Sequence, residues 1–65
     1  MDKNELIFKA FKKVGKFLRE HPPADACYSA EFITMVAGGM NRDPEGEEWL
    51  CYFLNQVIEE EKLKE

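Results

Sequence analysis

The first twenty residues carry apolar side chains at the spacing of an amphipathic helix. On a helical wheel these side chains fall within an arc of about 140°, which is typical of a helix that packs one face on a core. They are Leu6, Ile7, Ala10, Phe11, Val14, Phe17 and Leu18. His21 is followed by Pro22 and Pro23, and a residue before proline is disfavoured in the helical region. The pattern therefore predicts a helix over residues 3–20, with Phe8 outside its apolar arc.

A shorter apolar stretch follows a connection over residues 22–28. Its helically spaced residues are Phe32, Ile33, Val36 and Ala37. Ser29 is a candidate N-cap, because its hydroxyl can accept a backbone N–H of the next turn. Gly38 and Gly39 can supply the left-handed residue that ends many helices. A strand is disfavoured because the chain offers no second strand to pair with it. We therefore predict a helix over residues 30–38, and the sequence leaves open whether it begins earlier.

The third predicted helix has a clear beginning. Asp43 is an N-cap, and Pro44 occupies the first helical position, where its missing N–H has no cost. Acidic residues in the first turn complement the positive end of the helix. The apolar residues then span an arc of about 200°, which is wider than one neighbouring helix covers. We predict a helix over residues 44–62 and expect its excess apolar surface to meet another chain.

Two glycines interrupt these predicted helices. Gly15 costs about 1 kcal/mol relative to alanine, and we expect it to let another segment approach closely. Gly46 is expected to weaken the first turn of the third helix.

The three amphipathic segments predict an all-α, three-helix domain. The 65 residues are enough for one domain, and we expect residues 1–65 to form it. The predicted core comprises Phe11, Val14, Leu18, Ile33, Val36, Leu50, Phe53, Leu54 and Val57.

Charge divides the chain into a basic part and an acidic part. Residues 1–20 contain six basic and three acidic residues, a net charge of +3. Residues 21–65 contain three basic and ten acidic residues, a net charge of −7. The basic face of the first helix comprises Lys9, Lys12, Lys13, Lys16 and Arg19. An overall charge of −4 argues against direct nucleic-acid binding, because that binding depends on cations that neutralise phosphates.

The chain offers little for metal, cofactor or enzyme chemistry. Its soft metal ligands are His21, Cys27 and Cys51, too few and too scattered for a zinc site. Residues 41–46 begin like a calcium-binding loop, but Tyr52 stands where a bidentate glutamate belongs. The first residues lack the charged-then-apolar order of a secretory signal peptide, so we expect a cytoplasmic protein with reduced thiols rather than a disulfide. Cys51 is expected to pack as a small hydrophobe. We expect no metal, no cofactor and no enzymatic activity.

Two further classes receive little support from the residues. Three helices in this length suit a helix-turn-helix DNA binder, a distant alternative. A recognition helix should be basic at its N-terminal end, however, and the third helix is acidic there. No apolar run approaches the length of a membrane span, and we expect no membrane contact.

What remains is protein–protein interaction. A chain this small cannot hide eight aromatic residues, and aromatic side chains are enriched at interfaces. We expect a self-associating module, most simply a homodimer, that uses the third helix. The expected interface residues are Phe8, Trp49, Tyr52, Phe53 and Gln56. The alternative is an acidic inhibitor or adaptor that blocks a basic, nucleic-acid-binding surface of a partner protein. Small acidic proteins of mobile genetic elements, including anti-CRISPR proteins, work in this way.

Overall fold

Each of the three α-helices begins directly after an aspartate. The carboxylates of Asp2, Asp25 and Asp43 accept backbone N–H groups of the following first turn. The donor nitrogens belong to Asn4, Cys27, Glu45 and Gly46, at 2.9 to 3.3 Å. These bonds satisfy donors that the start of a helix leaves without a backbone partner.

The helices confirm the predicted all-α, three-helix fold. The structure is a computed structural model that describes residues 2–64, so Met1 and Glu65 of the expected domain lie outside the described residues. Helix α1 spans Lys3–Glu20, helix α2 spans Ala26–Gly38, a 3₁₀ turn spans Gly39–Asn41, and helix α3 spans Pro44–Lys64. The bounds of α1 match the prediction, and α3 runs one half-turn further than predicted.

The predicted start of α2 is wrong. Asp25, not Ser29, caps the helix, and its carboxylate oxygen lies 2.9 Å from the backbone nitrogen of Cys27. Both residue types are good caps, and the earlier one adds a further turn of backbone hydrogen bonds. The residues just before Ser29 are therefore helical rather than part of the connection.

The expected left-handed glycine at the end of α2 is also wrong. Gly38 and Gly39 have φ values of −60° and −61°, which any residue adopts. The chain tightens into the 3₁₀ turn and becomes left-handed only at Arg42, where φ is 67°. Gly39 is needed for a different reason, which concerns its contact with α3.

Helix α3 is the central element, because both other helices pack against it. The wide apolar arc predicted for α3 is thereby covered on two sides by its own chain. The buried core comprises Ala10, Val14, Val36, Leu50, Phe53 and Val57.

Most of the predicted core is confirmed, with one clear error. Phe11, Leu18 and Leu54 are half-buried against the core, whereas Ile33 is 43 % exposed. Because α2 packs chiefly on α3, only a narrow strip of α2 faces inward, and Val36 occupies it. Ile33 lies to one side of that strip.

Four aromatic rings connect the three helices. Phe17 of α1 and Phe32 of α2 lie 5.7 Å apart between ring centroids. Phe32 meets Trp49 of α3 edge-on at 5.0 Å, and Phe17 meets Phe53 edge-on at 5.8 Å. Such pairs contribute about 0.5 to 1.5 kcal/mol each beyond the area that they bury. This aromatic cluster (Phe17, Phe32, Trp49 and Phe53) joins α1 and α2 through α3.

Gly39 and Gly46 allow the 3₁₀ turn to lie directly on the first turn of α3. A Cβ atom on Gly46 would lie 2.8 Å from the Gly39 nitrogen and closer still to the carbonyl oxygen of Met35. Gly46 is therefore a packing requirement rather than the weakness expected from sequence. Gly15 shows the reverse, because a Cβ there would meet nothing within 4 Å. The segment expected to approach Gly15 is absent from the described residues.

We predict that Gly46→Ala destabilises the protein by about 2 kcal/mol or more, because the new methyl group must displace backbone. Gly38→Ala is the matched control. Its Cβ would make an ordinary contact of 3.4 Å with Asp43, so the free energy of unfolding should change by less than about 1 kcal/mol. Urea unfolding of the two variants measures both values. Equal stabilities would show that the glycine contact does not position α3.

Candidate interaction surfaces

The side of α3 that faces away from the core is continuous and exposed. We call it the α3 outer face. It comprises Glu48, Cys51, Tyr52, Asn55, Ile58 and Glu59, all exposed. These residues recur at intervals of three and four, so they lie on one side of the helix. The buried residues Phe53 and Val57 mark the opposite, inward side of the same helix.

Tyr52 is the central aromatic residue of the α3 outer face. Its side chain is 49 % exposed, yet its ring rests edge-on against Phe53 at 5.2 Å and Trp49 at 5.9 Å. Shallow grooves border it towards both ends of the helix. Tyr52 is therefore an exposed aromatic side chain supported from below by the aromatic cluster.

The other residues expected at the interface differ in their placement. Trp49 and Gln56 are half-buried beside Tyr52, and both line grooves with it. Phe53 is only 1 % exposed, so it serves as core and offers no surface to a partner. Phe8 is 63 % exposed and lies on α1, separate from the other four.

Glutamates flank Tyr52 along α3, while Lys13 and Lys16 of α1 line the groove on the side of Tyr52 that faces α1. Between residues 44 and 61 the chain has six glutamates and no lysine or arginine. Glu48 stands one turn before Tyr52 and Glu59 two turns after it, both exposed. The α3 outer face is thus a half-exposed aromatic ring with carboxylates on either side.

Both cysteines are free and exposed. The expectation that Cys51 packs as a small hydrophobe is wrong, because the apolar side of α3 faces the core and Cys51 lies outside it. Cys51 lies next to Tyr52 on the α3 outer face, whereas Cys27 lies in the first turn of α2. A reagent that reacts with thiols can therefore be attached to α2 through one cysteine or to α3 through the other.

The basic residues predicted on α1 line one groove between α1 and α3. They are Lys9, Lys12, Lys13, Lys16 and Arg19, and the groove also includes Lys64. Two of these lysines are paired with the end of α3. Lys9 Nζ lies 2.8 Å from Glu61 Oε1, and Lys13 bonds to Glu60. Sequence reasoning missed these pairs, which join residues about fifty positions apart.

The other three α1 cations of the groove are exposed to solvent, and Lys16 Nζ lies 3.9 Å from Glu20 Oε1 on the same helix. Lys12, Lys16 and Arg19 are exposed on the side of α1 opposite the buried Val14, together with Phe8. The Lys12 ammonium lies over the Phe8 ring, 4.9 Å from its centroid. We call Phe8, Lys12, Gly15, Lys16 and Arg19 the α1 outer face.

The ion pairs between α1 and α3 shift the titration of their members. The hydrogen bond from Lys13 lowers the pKa of Glu60, and the hydrogen bond from Lys9 lowers the pKa of Glu61. The bond to Glu61 in turn raises the pKa of Lys9. Each shift favours the charged form, because the opposite charge is within hydrogen-bond distance.

Within residues 2–64, no three side chains of the metal-binding types come together. No helix in the same part of the chain is long and apolar enough to span a bilayer.

Comparison with known proteins gives no match, since no family model, curated protein or solved structure is similar to this chain.

The ion pairs predict a dependence of stability on pH. Because the pKa values of Glu60 and Glu61 are lowered in the folded state, their contribution is present at neutral pH and lost as the pH falls through those values. The raised pKa of Lys9 acts at the other end, where its contribution is lost as the pH rises through that value.

Melting temperatures between about pH 7 and about pH 2 test this expectation. The wild type should lose more stability in acid than the Glu60→Gln/Glu61→Gln variant, and the two should converge at the lowest pH. Glu45→Gln/Glu59→Gln, which removes two exposed carboxylates of α3, is the control and should follow the wild type. Parallel curves for the wild type and the Glu60/Glu61 variant would contradict the assignment.

Proposed function

We propose that this protein is a protein-interaction module whose α3 outer face binds a basic surface of another protein chain. Tyr52 is the observation that carries the proposal. It keeps half of its surface exposed while Trp49 and Phe53 hold its ring in place. A tyrosine that is already immobilised loses little conformational freedom on binding.

Tyrosine is also among the residue types enriched at the energetic centres of interfaces. Its neighbours on the α3 outer face suit such a centre. Cys51 adds apolar surface beside it, and Asn55 adds hydrogen-bonding groups. The grooves on either side of the ring offer space for side chains of a partner.

The charges around Tyr52 favour a basic partner. Glu48 and Glu59 stand on either side of the ring, and no cation lies between residues 44 and 61. Complementary charge accelerates association and selects among partners. Like charges disfavour association, so an acidic or neutral surface fits the α3 outer face less well than a basic one.

The glutamates of the α3 outer face also disfavour the expected two-fold homodimer. An antiparallel pair of α3 helices centred near Phe53 would place Glu48 of one copy beside Glu59 of the other. A parallel pair would place each glutamate beside its own counterpart. Both symmetric arrangements oppose like charges, so self-association by this face on itself is not the arrangement that we propose.

The acidic helix also supports the inhibitor function as a second candidate. Surfaces that bind nucleic acid are basic because they neutralise phosphates. Four of the six glutamates between residues 44 and 61 lie outside the ion pairs with α1 and are exposed, so they can compete for such a surface: Glu45, Glu47, Glu48 and Glu59. In that case the partner would lose nucleic-acid binding when α3 occupies it.

We predict that Tyr52→Ala lowers capture of a binding partner at least about tenfold, which corresponds to 1.4 kcal/mol. Tyr28→Ala is the matched control, because Tyr28 is an exposed tyrosine of α2 at 58 % exposure. Tagged wild type and both variants are compared in a native lysate supplemented with a differently tagged second copy, and mass spectrometry quantifies what is retained. Proteins held equally by the wild type and Tyr52→Ala would contradict the proposal.

The two exposed thiols give an independent version of this test. A bulky maleimide attached to Cys51 in a Cys27→Ser background should abolish capture. The same group attached to Cys27 in a Cys51→Ser background should leave it intact. Equal capture by both conjugates would show that the α3 outer face is not the binding surface.

A further inference from the structure

We propose that the basic surface recognised by the α3 outer face is the α1 outer face of a second copy, so that the protein assembles head to tail. This inference rests on the proposed function, because it names the partner of the same face. Two separate features of α1 support it: the charge of its outward side chains and the placement of Gly15.

The charges of the two outer faces are complementary. The α1 outer face presents Lys12, Lys16 and Arg19, and the α3 outer face presents Glu48 and Glu59. Lys9 and Lys13 are already paired with the end of α3 in the same chain. Lys16 pairs with Glu20 on its own helix, so Lys12 and Arg19 are the cations of the described α1 outer face that remain for a partner of opposite charge.

Gly15 is the second feature. Glycine inside a helix is less favourable than alanine, and no contact within the described residues compensates for it, since a Cβ there would meet nothing within 4 Å. Gly15 lies two turns after Phe8 and one turn before Arg19, on the same side of α1. It leaves a notch in the α1 outer face where an aromatic ring of another copy can rest on the backbone.

Placing Tyr52 of one copy in the notch at Gly15 of another brings one pair of opposite charges together. In an antiparallel pair of helices, the residue a given number of positions after the contact on one helix lies opposite the residue the same number of positions before the contact on the other. Arg19 then meets Glu48, four positions away on each side. Phe8 meets the end of the α3 outer face at Ile58 and Glu59, seven positions away on each side.

This contact joins two different surfaces, so it is heterologous. A heterologous contact between two copies leaves one free α1 outer face and one free α3 outer face, and further copies can add at both. The assembly is therefore an open chain or a ring of several copies, in contrast to a closed two-fold dimer.

The first test uses Gly15→Ala, whose expected effects on folding and on assembly have opposite signs. Alanine should raise the melting temperature, because it favours the helix and its methyl group meets open space. It should also weaken assembly at least about tenfold, measured by sedimentation velocity over a concentration series at low ionic strength. A stabilised variant that assembles like the wild type would overturn the role of Gly15, and loss of folding cannot explain the expected result.

The second test mixes two variants that each retain one face. Gly15→Gln fills the notch and keeps the α3 outer face, whereas Tyr52→Gln removes the ring and keeps the α1 outer face. Each alone should sediment as a monomer, and the mixture should form a complex of one copy of each. If Gly15→Gln still self-associates and the mixture forms no new complex, the contact joins two α3 helices and the head-to-tail arrangement is wrong.

Charge variants complete the test. Lys12→Glu/Arg19→Glu should abolish assembly, whereas Lys3→Glu/Arg42→Glu, with the same change in net charge at exposed sites elsewhere, should retain it. A wild type that stays monomeric at every concentration and salt level would overturn the head-to-tail inference alone. Capture of another protein that depends on Tyr52 would then still support the proposed function, and its absence would reject both.

Discussion

The aromatic cluster at the crossing of the three helices is the interaction on which the rest of the structure depends. Phe17 of α1 and Phe32 of α2 pack against each other and against Phe53 and Trp49 of α3. A chain of 65 residues buries few side chains completely, so Phe53 and the three half-buried rings packed against it contribute much of the contact between its helices. The same cluster supports Tyr52 from below. Packing that stabilises the fold therefore also immobilises the residue most suited to binding.

Covering α3 on two sides has an electrostatic consequence. The helix uses its wide apolar arc within the chain, and what remains outward is Tyr52 with its flanking carboxylates. On α1, Lys9 and Lys13 pair with Glu61 and Glu60, while Lys12, Lys16 and Arg19 are exposed to solvent. Folding thus separates the charge of the sequence into an acidic face and a basic face that point in different directions. Two such faces on one small domain favour contact with an oppositely charged chain.

Local signals in the sequence predicted the elements well, because helix ends depend on neighbouring residues. Pro22 and Pro23 ended α1 as expected, and Asp43 with Pro44 began α3. The start of α2 was missed because Asp25 and Ser29 are both good caps, and only the extra turn decides between them. Features that depend on distant segments were beyond local reasoning. The need for glycine at Gly46, the exposure of Ile33 and the pairing of Lys9 with Glu61 all follow from how the helices pack. Tyr52 was found in advance because a helical wheel is enough to place it outside the core.

The central claim is that the two oppositely charged outer faces bind each other in separate copies. Nitrogen–proton correlation NMR spectra over a dilution series of the wild type test it most directly. Head-to-tail contact should change the chemical shifts of two separate groups of residues together as concentration changes: those around Gly15 on α1 and those around Tyr52 on α3. The backbone around Ile33 on α2 should stay unchanged. Movement confined to α3, or spectra that do not change with concentration, would contradict it.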